Sequence, residues 1–197
     1  EARGASADIA GLCDALGGGG GRFPFPARDA SLRDRFRRRH PAAFERIVRE
    51  ADAALAGDLG WVVAGGTADW HAALPHGGRW PLAPAEQLGI GDARPIGDVR
   101  LSWEVGRSTH VVRLAQAAWL TGDATYARAV AAQLDDFVRA NPPGLGIAWA
   151  HAQEVAIRAV AWLWAFFLTR DLGVFGAAAL RRWVWVIFSR AWSVQAC

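Results

Sequence analysis

Apolar positions along this chain recur at helical rather than strand spacing over most of its length. From Ala30 to about Ala56, Phe44, Ile47, Val48, Ala51 and Leu55 return every three or four residues. Pro41 interrupts the run, which predicts two short helices or one kinked at the proline. A second helix is predicted from about Leu101 to Leu120, with Leu101, Val105, Val112, Ala115 and Trp119 on one seam and a stop at Gly122. Asp123 then caps a third, in which Ala127, Val130, Leu134 and Phe137 form the buried stripe and Asp135 and Arg139 make a surface pair, until Asn141-Pro142-Pro143-Gly144 ends it. The next, from about Ala148 to Thr169, is apolar nearly all round, which predicts burial. A last helix, from about Ala177 to Trp192, carries Leu180, Trp183, Val184, Ile187 and Ala191 on one stripe. No strand-like alternation competes, so the expected fold class is all-α, with antiparallel neighbours joined by short turns.

Two stretches break the pattern. Gly17 to Gly21 is an unbroken glycine run followed by RFPFP, so residues 1–29 read as a Gly/Pro-rich leader or linker ahead of a domain over 30–197. No Gly-Lys-Ser/Thr ending follows the glycines, which removes the phosphate-loop reading. Gly57 to Arg100 reads as irregular, yet it holds Trp61, Trp70, Trp80, His71 and His76, and so many aromatic side chains argue against disorder.

Composition narrows the function classes. A 197-residue chain that is 52% hydrophobic is long enough for one full core. Every basic residue is Arg, and the net charge of +3 is too small to demand an anionic partner, although arginines suit carboxylates and sulfates through bidentate pairing. Cys13 and Cys197 form neither a metal-ligand spacing nor a disulfide framework, so no metal and no cofactor is expected. The N-terminal residues carry no signal-peptide pattern, and apolar runs such as AVAWLWAFFL fall well short of the roughly twenty residues a membrane span needs. The basic run RDRFRRRH, with Arg33, Arg35, Arg37, Arg38 and Arg39, lacks an accompanying aromatic nucleic-acid motif, so no nucleic-acid partner is expected.

The candidate chemistry lies between Gly97 and Trp164. Glu104 and Arg107 stand one turn apart, as do Glu154 and Arg158, on surfaces otherwise crowded with Trp, Val, Leu and Ala. His151, Glu154 and Arg158 share one helical face. Ionised side chains are almost never buried alone, because lost hydration costs several kcal/mol or more. Either the four charges pair and tie adjacent helices together, or they line a polar groove for a charged or hydroxyl-rich ligand. Eleven tryptophans bear on that choice. Trp162, Trp164, Trp183 and Trp185 read as core, whereas Trp70, Trp103 and Trp149 stand at loop or helix starts, where clefts form and where indole faces can stack on sugar rings.

At these residues the chain resembles a family. DWH at Asp69 to His71, RWP at Arg79 to Pro81, GDVRLSWEVGR, LAQAAWLTGDATYA, LDDFVRANPP and GIAWAHAQEVAIRAVAWLWA resemble, in that order, the N-terminal helical domain of heparinase II/III-like polysaccharide lyases. The resemblance covers about Gly21 to Arg170. It implies an incomplete α/α toroid of antiparallel helical hairpins, normally followed by a β-sandwich domain, and cleavage of uronic-acid-containing polysaccharide, heparan- or alginate-like, by β-elimination. A periplasmic or secreted location is implied with it. The partner expected is an acidic polysaccharide, met by His71, Trp103, Glu104, Arg107, Trp149, Glu154 and Arg158 as groove or supporting residues, with Arg107 and Arg158 facing carboxylate or sulfate.

Such chemistry needs a neutralised carboxylate, a base near the sugar C5 and an acid for the leaving oxygen. The family supplies these from Asn, Tyr and His residues expected largely beyond the matched stretch. After Arg170 the sequence departs from the pattern, without Asn, His or Tyr, and the one tyrosine, Tyr126, is read as packing. No catalytic residue is assigned, and the expectation is a piece of a longer enzyme, inactive alone. Two alternatives stand beside it: a non-catalytic carbohydrate-binding or scaffold domain, and a polyanion-binding helical module built on the arginine run.

Overall fold

A computed structural model describes residues 25–58, 68–75, 77–90 and 96–193. The glycine run, both cysteines, Trp61 and His76 lie outside these. Among the described residues the order is helix α1 (Ala30–Arg39), α2 (Pro41–Ala56), a two-residue hairpin β1 (Ala72–Ala73) and β2 (Gly78–Arg79), a 3-10 turn (Ala85–Gln87), α3 (Val99–Gly106), α4 (Thr109–Thr121), α5 (Ala124–Ala140), a second 3-10 turn (Ile147–Trp149), α6 (Ala152–Thr169), a third (Arg170–Leu172) and α7 (Ala177–Ser193). Among the described residues the fold is all-α apart from that hairpin.

Local chemistry sets the helix ends. Asp29, Asp98 and Asp123 each stand one residue before a helix, and each carboxylate accepts a backbone N–H two residues on, which satisfies one of the free donors of the first turn. Pro41, whose missing N–H costs nothing in a first turn, opens α2 and separates it from α1. Gly122 closes α4 at φ 77°, a left-handed conformation that a side chain would strain, and so lets the chain turn at once into α5.

Helices pack in two layers. α4 lies between α2 and α6 in one, while α5 and α7 neighbour each other in the second and cover α4 and α6. Alternate helices are therefore side by side, and consecutive ones cross between layers. Leu114, Ala115 and Ala118 of α4, Val130, Leu134 and Phe137 of α5, and Trp162 and Ala165 of α6 fill the space between. Phe137 is its centre: the rings of Trp70, Trp162 and Trp149 stand edge-on at 5.1, 5.4 and 6.4 Å, an arrangement favoured by the aromatic quadrupole.

Several expectations need correction. The helix read over Leu101 to Leu120 is two, because Arg107 and Ser108 turn the chain, Ser108 in a left-handed conformation at φ 59°. Val105, Ala115 and Trp119 of the expected seam are buried and Val112 partly so, but Leu101 is exposed, and Val111, Leu114 and Ala118 are buried beside them. The helix read from Ala148 begins at Ala152, after a separate 3-10 turn, and it is not buried all round: Val160, at 56%, and Leu163 are exposed. Asp135 does not pair with Arg139. It accepts from Arg182 (3.0 Å) and the Trp183 indole (3.2 Å) of α7, while Arg139 faces Asp136 at 3.9 Å. Trp183 and Val184 are covered, in keeping with the apolar stripe read for this helix, whereas Trp185 is half exposed rather than core.

The irregular stretch is tied down by its polar atoms. Trp80 Nε1 donates to Ser102 Oγ (2.8 Å), which donates to Ala72 O (2.8 Å), and Trp70 Nε1 donates to Asp136 (2.8 Å). At Gly97 an added Cβ would come within 2.7 Å of the Ala73 backbone, so only glycine lets α3 begin against β1.

Truncating Phe137 to Ala is expected to cost about 3–5 kcal/mol in urea unfolding, whereas Val160→Ala should change stability by less than about 0.5 kcal/mol. Equal losses at both positions would contradict the placement of the core.

Candidate functional site

Six of the seven residues singled out in the sequence converge where α3 ends, α4 begins and α6 starts. The turn at Arg107–Ser108 is what makes this possible, since it aims the Arg107 side chain off the helix axis toward α6. Its guanidinium Nε and Nη2 donate to the two carboxylate oxygens of Glu154, at 2.7 and 2.9 Å, a bidentate pair between residues 47 apart in sequence. Nη1 donates to Glu104, one turn back on α3. Glu154 is 4% exposed and sits in the first turn of α6, where the helix dipole favours a negative charge. Glu104 and part of Arg107 face solvent. The Glu154 hydrogen bonds raise the Arg107 pKa further above its ordinary value.

Arg158 is different. At 3% exposure it lies inside the protein, with its guanidinium 4.6 Å from the Phe137 ring centre and 4.8 Å from that of Trp149. It donates to Gly106 O (3.2 Å) at the end of α3 and to Ala148 O (2.8 Å) in the 3-10 turn. Burial pulls its pKa down to about 9, partly offset by the Glu154 charge, so it stays a cation at neutral pH. This is a structural cation. It has no route to a solvent-borne ligand, and neither does Trp149, whose ring it covers.

Trp103 is half-buried, its indole N–H donating to Ile147 O at 3.1 Å and its ring 5.4 Å from that of His151, an exposed residue that precedes α6. His71 lies elsewhere. It is buried under the segment after α5, donating from Nε2 to Ala140 O at 2.9 Å, and packs beside Gly146. Trp70, like Trp149, is core rather than cleft. The solvent-facing part of the cluster is thus Trp103, Glu104, Arg107 and His151. Sequence reasoning placed His151 on the charged face of α6 without assigning it, and its signal is the AWAH step immediately before the helix.

Two further groups lie outside the cluster: His110, which the sequence did not single out, and Tyr126, read there as packing. His110, on α4, is buried against Trp70, with ring centres 6.2 Å apart, and desolvation lowers its pKa against a smaller opposing interaction with the Gln133 amide. Tyr126 donates to Asp52 at 2.6 Å, and burial together with that carboxylate pushes its phenol up to about 12, so it remains protonated across the physiological range. Among the described residues no group of three or more His, Cys, Asp or Glu could hold a metal ion, and no helix is long and apolar enough to cross a membrane.

No family model, curated protein or solved structure matches the chain.

Glu154→Gln is expected to destabilise the protein by about 3 kcal/mol, because it leaves Arg107 and Arg158 without their shared buried anion, whereas Glu104→Gln should cost less than about 1 kcal/mol. Urea unfolding of the two variants distinguishes them. The depressed His110 pKa favours the native state above the unfolded value of 6.5 and loses that contribution as pH falls through the lower folded value. Thermal midpoints should therefore decline on acidification below 6.5, and decline less in His110→Gln.

Proposed function

We propose that this chain is a groove-forming helical part of a polysaccharide lyase that cleaves uronic-acid-containing polysaccharide by β-elimination, and that the sugar chain passes over Trp103, Glu104, Arg107 and His151. The observation that carries the reading is the state of Arg107. Three of the five N–H groups of a guanidinium are committed to Glu104 and Glu154, which fixes its plane, and two remain, on a residue one helical turn after the half-buried Trp103. A uronate needs that pair: N–H donors for its carboxylate, which stabilise charge as the neighbouring proton leaves, and an aromatic face for its ring. Glu104, exposed beside Arg107, suits a sugar hydroxyl.

The two-layer packing supports the finer architecture. Side-by-side alternate helices, with consecutive helices crossing between layers, are the unit from which an α/α toroid is built, and the motifs LAQAAWLTGDATYA, LDDFVRANPP and GIAWAHAQEVAIRAVAWLWA lie on α4, α5 and α6 of that arrangement. An enzyme of this kind acts on polymer outside the cytoplasm. Arg158, Glu154 and Trp149 support the groove from beneath, and His71 and Tyr126 are packing residues in this reading. No acid or base is assigned in this chain, so it binds acidic polysaccharide without cleaving it. A glycan-binding scaffold with no lyase activity shares that surface.

Titration of the chain with oligouronates should give saturable binding, weakened about tenfold by Trp103→Ala in protein that circular dichroism shows to be folded. No unsaturated uronate product should accumulate. Absence of binding to any acidic oligosaccharide would overturn the proposal.

A further inference from the structure

α6 forms one edge of the layer it shares with α2 and α4, and its outer face carries no charge. The residues it exposes are Ala152, Gln153, Ala156, Val160, Leu163 and Trp164, one helical stripe in which Gln153 is the single polar side chain. Other helices meet solvent differently. α2 exposes Glu45, Arg46 and Arg49, and α5 exposes Arg128 and Arg139, as expected of surface helices. Val160 is 56% exposed and Leu163 38%, and a contiguous apolar stripe of this kind marks a surface that another element covers.

The chain itself leads to that stripe. Phe25, the first described residue, sets its ring 5.8 Å from that of Trp164 on α6 and 5.1 Å from that of Trp119 on α4. Two anchors fix it there: the Trp119 indole donates to Ala27 O (2.7 Å), and Arg28 donates to Asp171, just beyond α6, through Nε (3.1 Å) and Nη2 (3.0 Å). Residues 1–24 therefore join the described fold beside Trp164, at one end of the stripe. Their sequence fits what the stripe needs. Ile9, Leu12, Cys13 and Leu16 recur at i, i+3, i+4 and i+7, the spacing of one apolar helical face, with Asp8 before them in a capping position and Asp14 on the opposite side. The eight residues from Gly17 to Pro24 separate that face from Phe25. Extended, they span up to about 26 Å, and the stripe from Trp164 back to Ala152 is about 18 Å long, so the segment can reach all of it.

We propose that residues 8–16 fold back as a short amphipathic helix onto the outer face of α6, setting Ile9, Leu12, Cys13 and Leu16 against Ala156, Val160 and Leu163. The glycine run permits the reversal of direction, since glycine adopts the backbone conformations a sharp turn requires. The segment closes the open edge of the layer formed by α2, α4 and α6. None of its contacts involves the groove proposed above.

The test is the reactivity of Cys13 in the full chain carrying Cys197→Ser, so that one thiol remains. Docked, that thiol faces α6 and should react with an aromatic disulfide reagent about tenfold or more slowly than in urea-unfolded protein at the same pH. Val160→Asp, a change at an exposed position, should restore the fast rate with helical circular dichroism intact. If that variant does not fold, Val160→Cys oxidised in air should form a disulfide with Cys13 inside one chain, read by mass after unreduced digestion, whereas Ala132→Cys on the exposed side of α5 should not. A Cys13 that reacts as in the unfolded protein, or that Val160→Asp leaves unchanged, would overturn the proposal. So would protection that appears only on dimerisation in sedimentation, or disulfide-linked dimers in place of the internal link, either of which makes a second copy of this chain the occupant.

Discussion

The buried guanidinium of Arg158 holds four elements to one another. It bonds the last turn of α3 through Gly106 O and the 3-10 turn before α6 through Ala148 O, and it stands on α6 with the rings of Phe137 from α5 and Trp149 on its faces. A cation in such a place is tolerable only because Glu154, one turn earlier, supplies a negative charge and the two carbonyls accept its N–H groups. Glu154 in turn holds Arg107, which fixes the turn between α3 and α4. Among the described residues the one non-glycine residue with left-handed backbone, Ser108, follows directly after that arginine.

The two readings of the charged residues, helix tie or groove, therefore divide by residue. Glu154 and Arg158 are the tie, with Trp149 as their apolar cover. Arg107 joins the tie through its inner edge, which is spent on Glu154, while the rest of its guanidinium meets Glu104 and solvent. A side chain held in this way is fixed before any ligand arrives, and in the groove proposed above that would lower the entropic cost of binding. The same rigidity explains why a surface substitution such as Glu104→Gln and a buried one such as Glu154→Gln have such different consequences.

Much of this was legible in the sequence, and the rest was not for identifiable reasons. α5 was read correctly because its signals are local: Asp123 as cap, a four-residue apolar stripe, Asn141-Pro142 as stop. The break between α3 and α4 was invisible because Gly106-Arg107-Ser108 is compatible with a continuing helix, and what turns the chain there is a pair of side-chain bonds to residues about fifty positions later. Trp70 is expected near a cleft from the loop around it, and His71 is expected in the groove from the family resemblance. Their burial is decided by Ala140, Gly146 and Asp136, contacts between segments that no local spacing encodes. The exposed face of α6 at Val160 was misread for a related reason: apolar composition shows what could be buried, and packing decides which face is.

The central claim is that Arg158 is held for its hydrogen bonds as well as its bulk, and Arg158→Met tests it most directly. Methionine keeps most of the volume and removes the donors, leaving the Gly106 and Ala148 carbonyls without them and Glu154 with one cation instead of two. Equilibrium urea unfolding should show a loss of about 2–5 kcal/mol. Stability equal to or above that of the parent chain would mean that the buried cation fills space and nothing more.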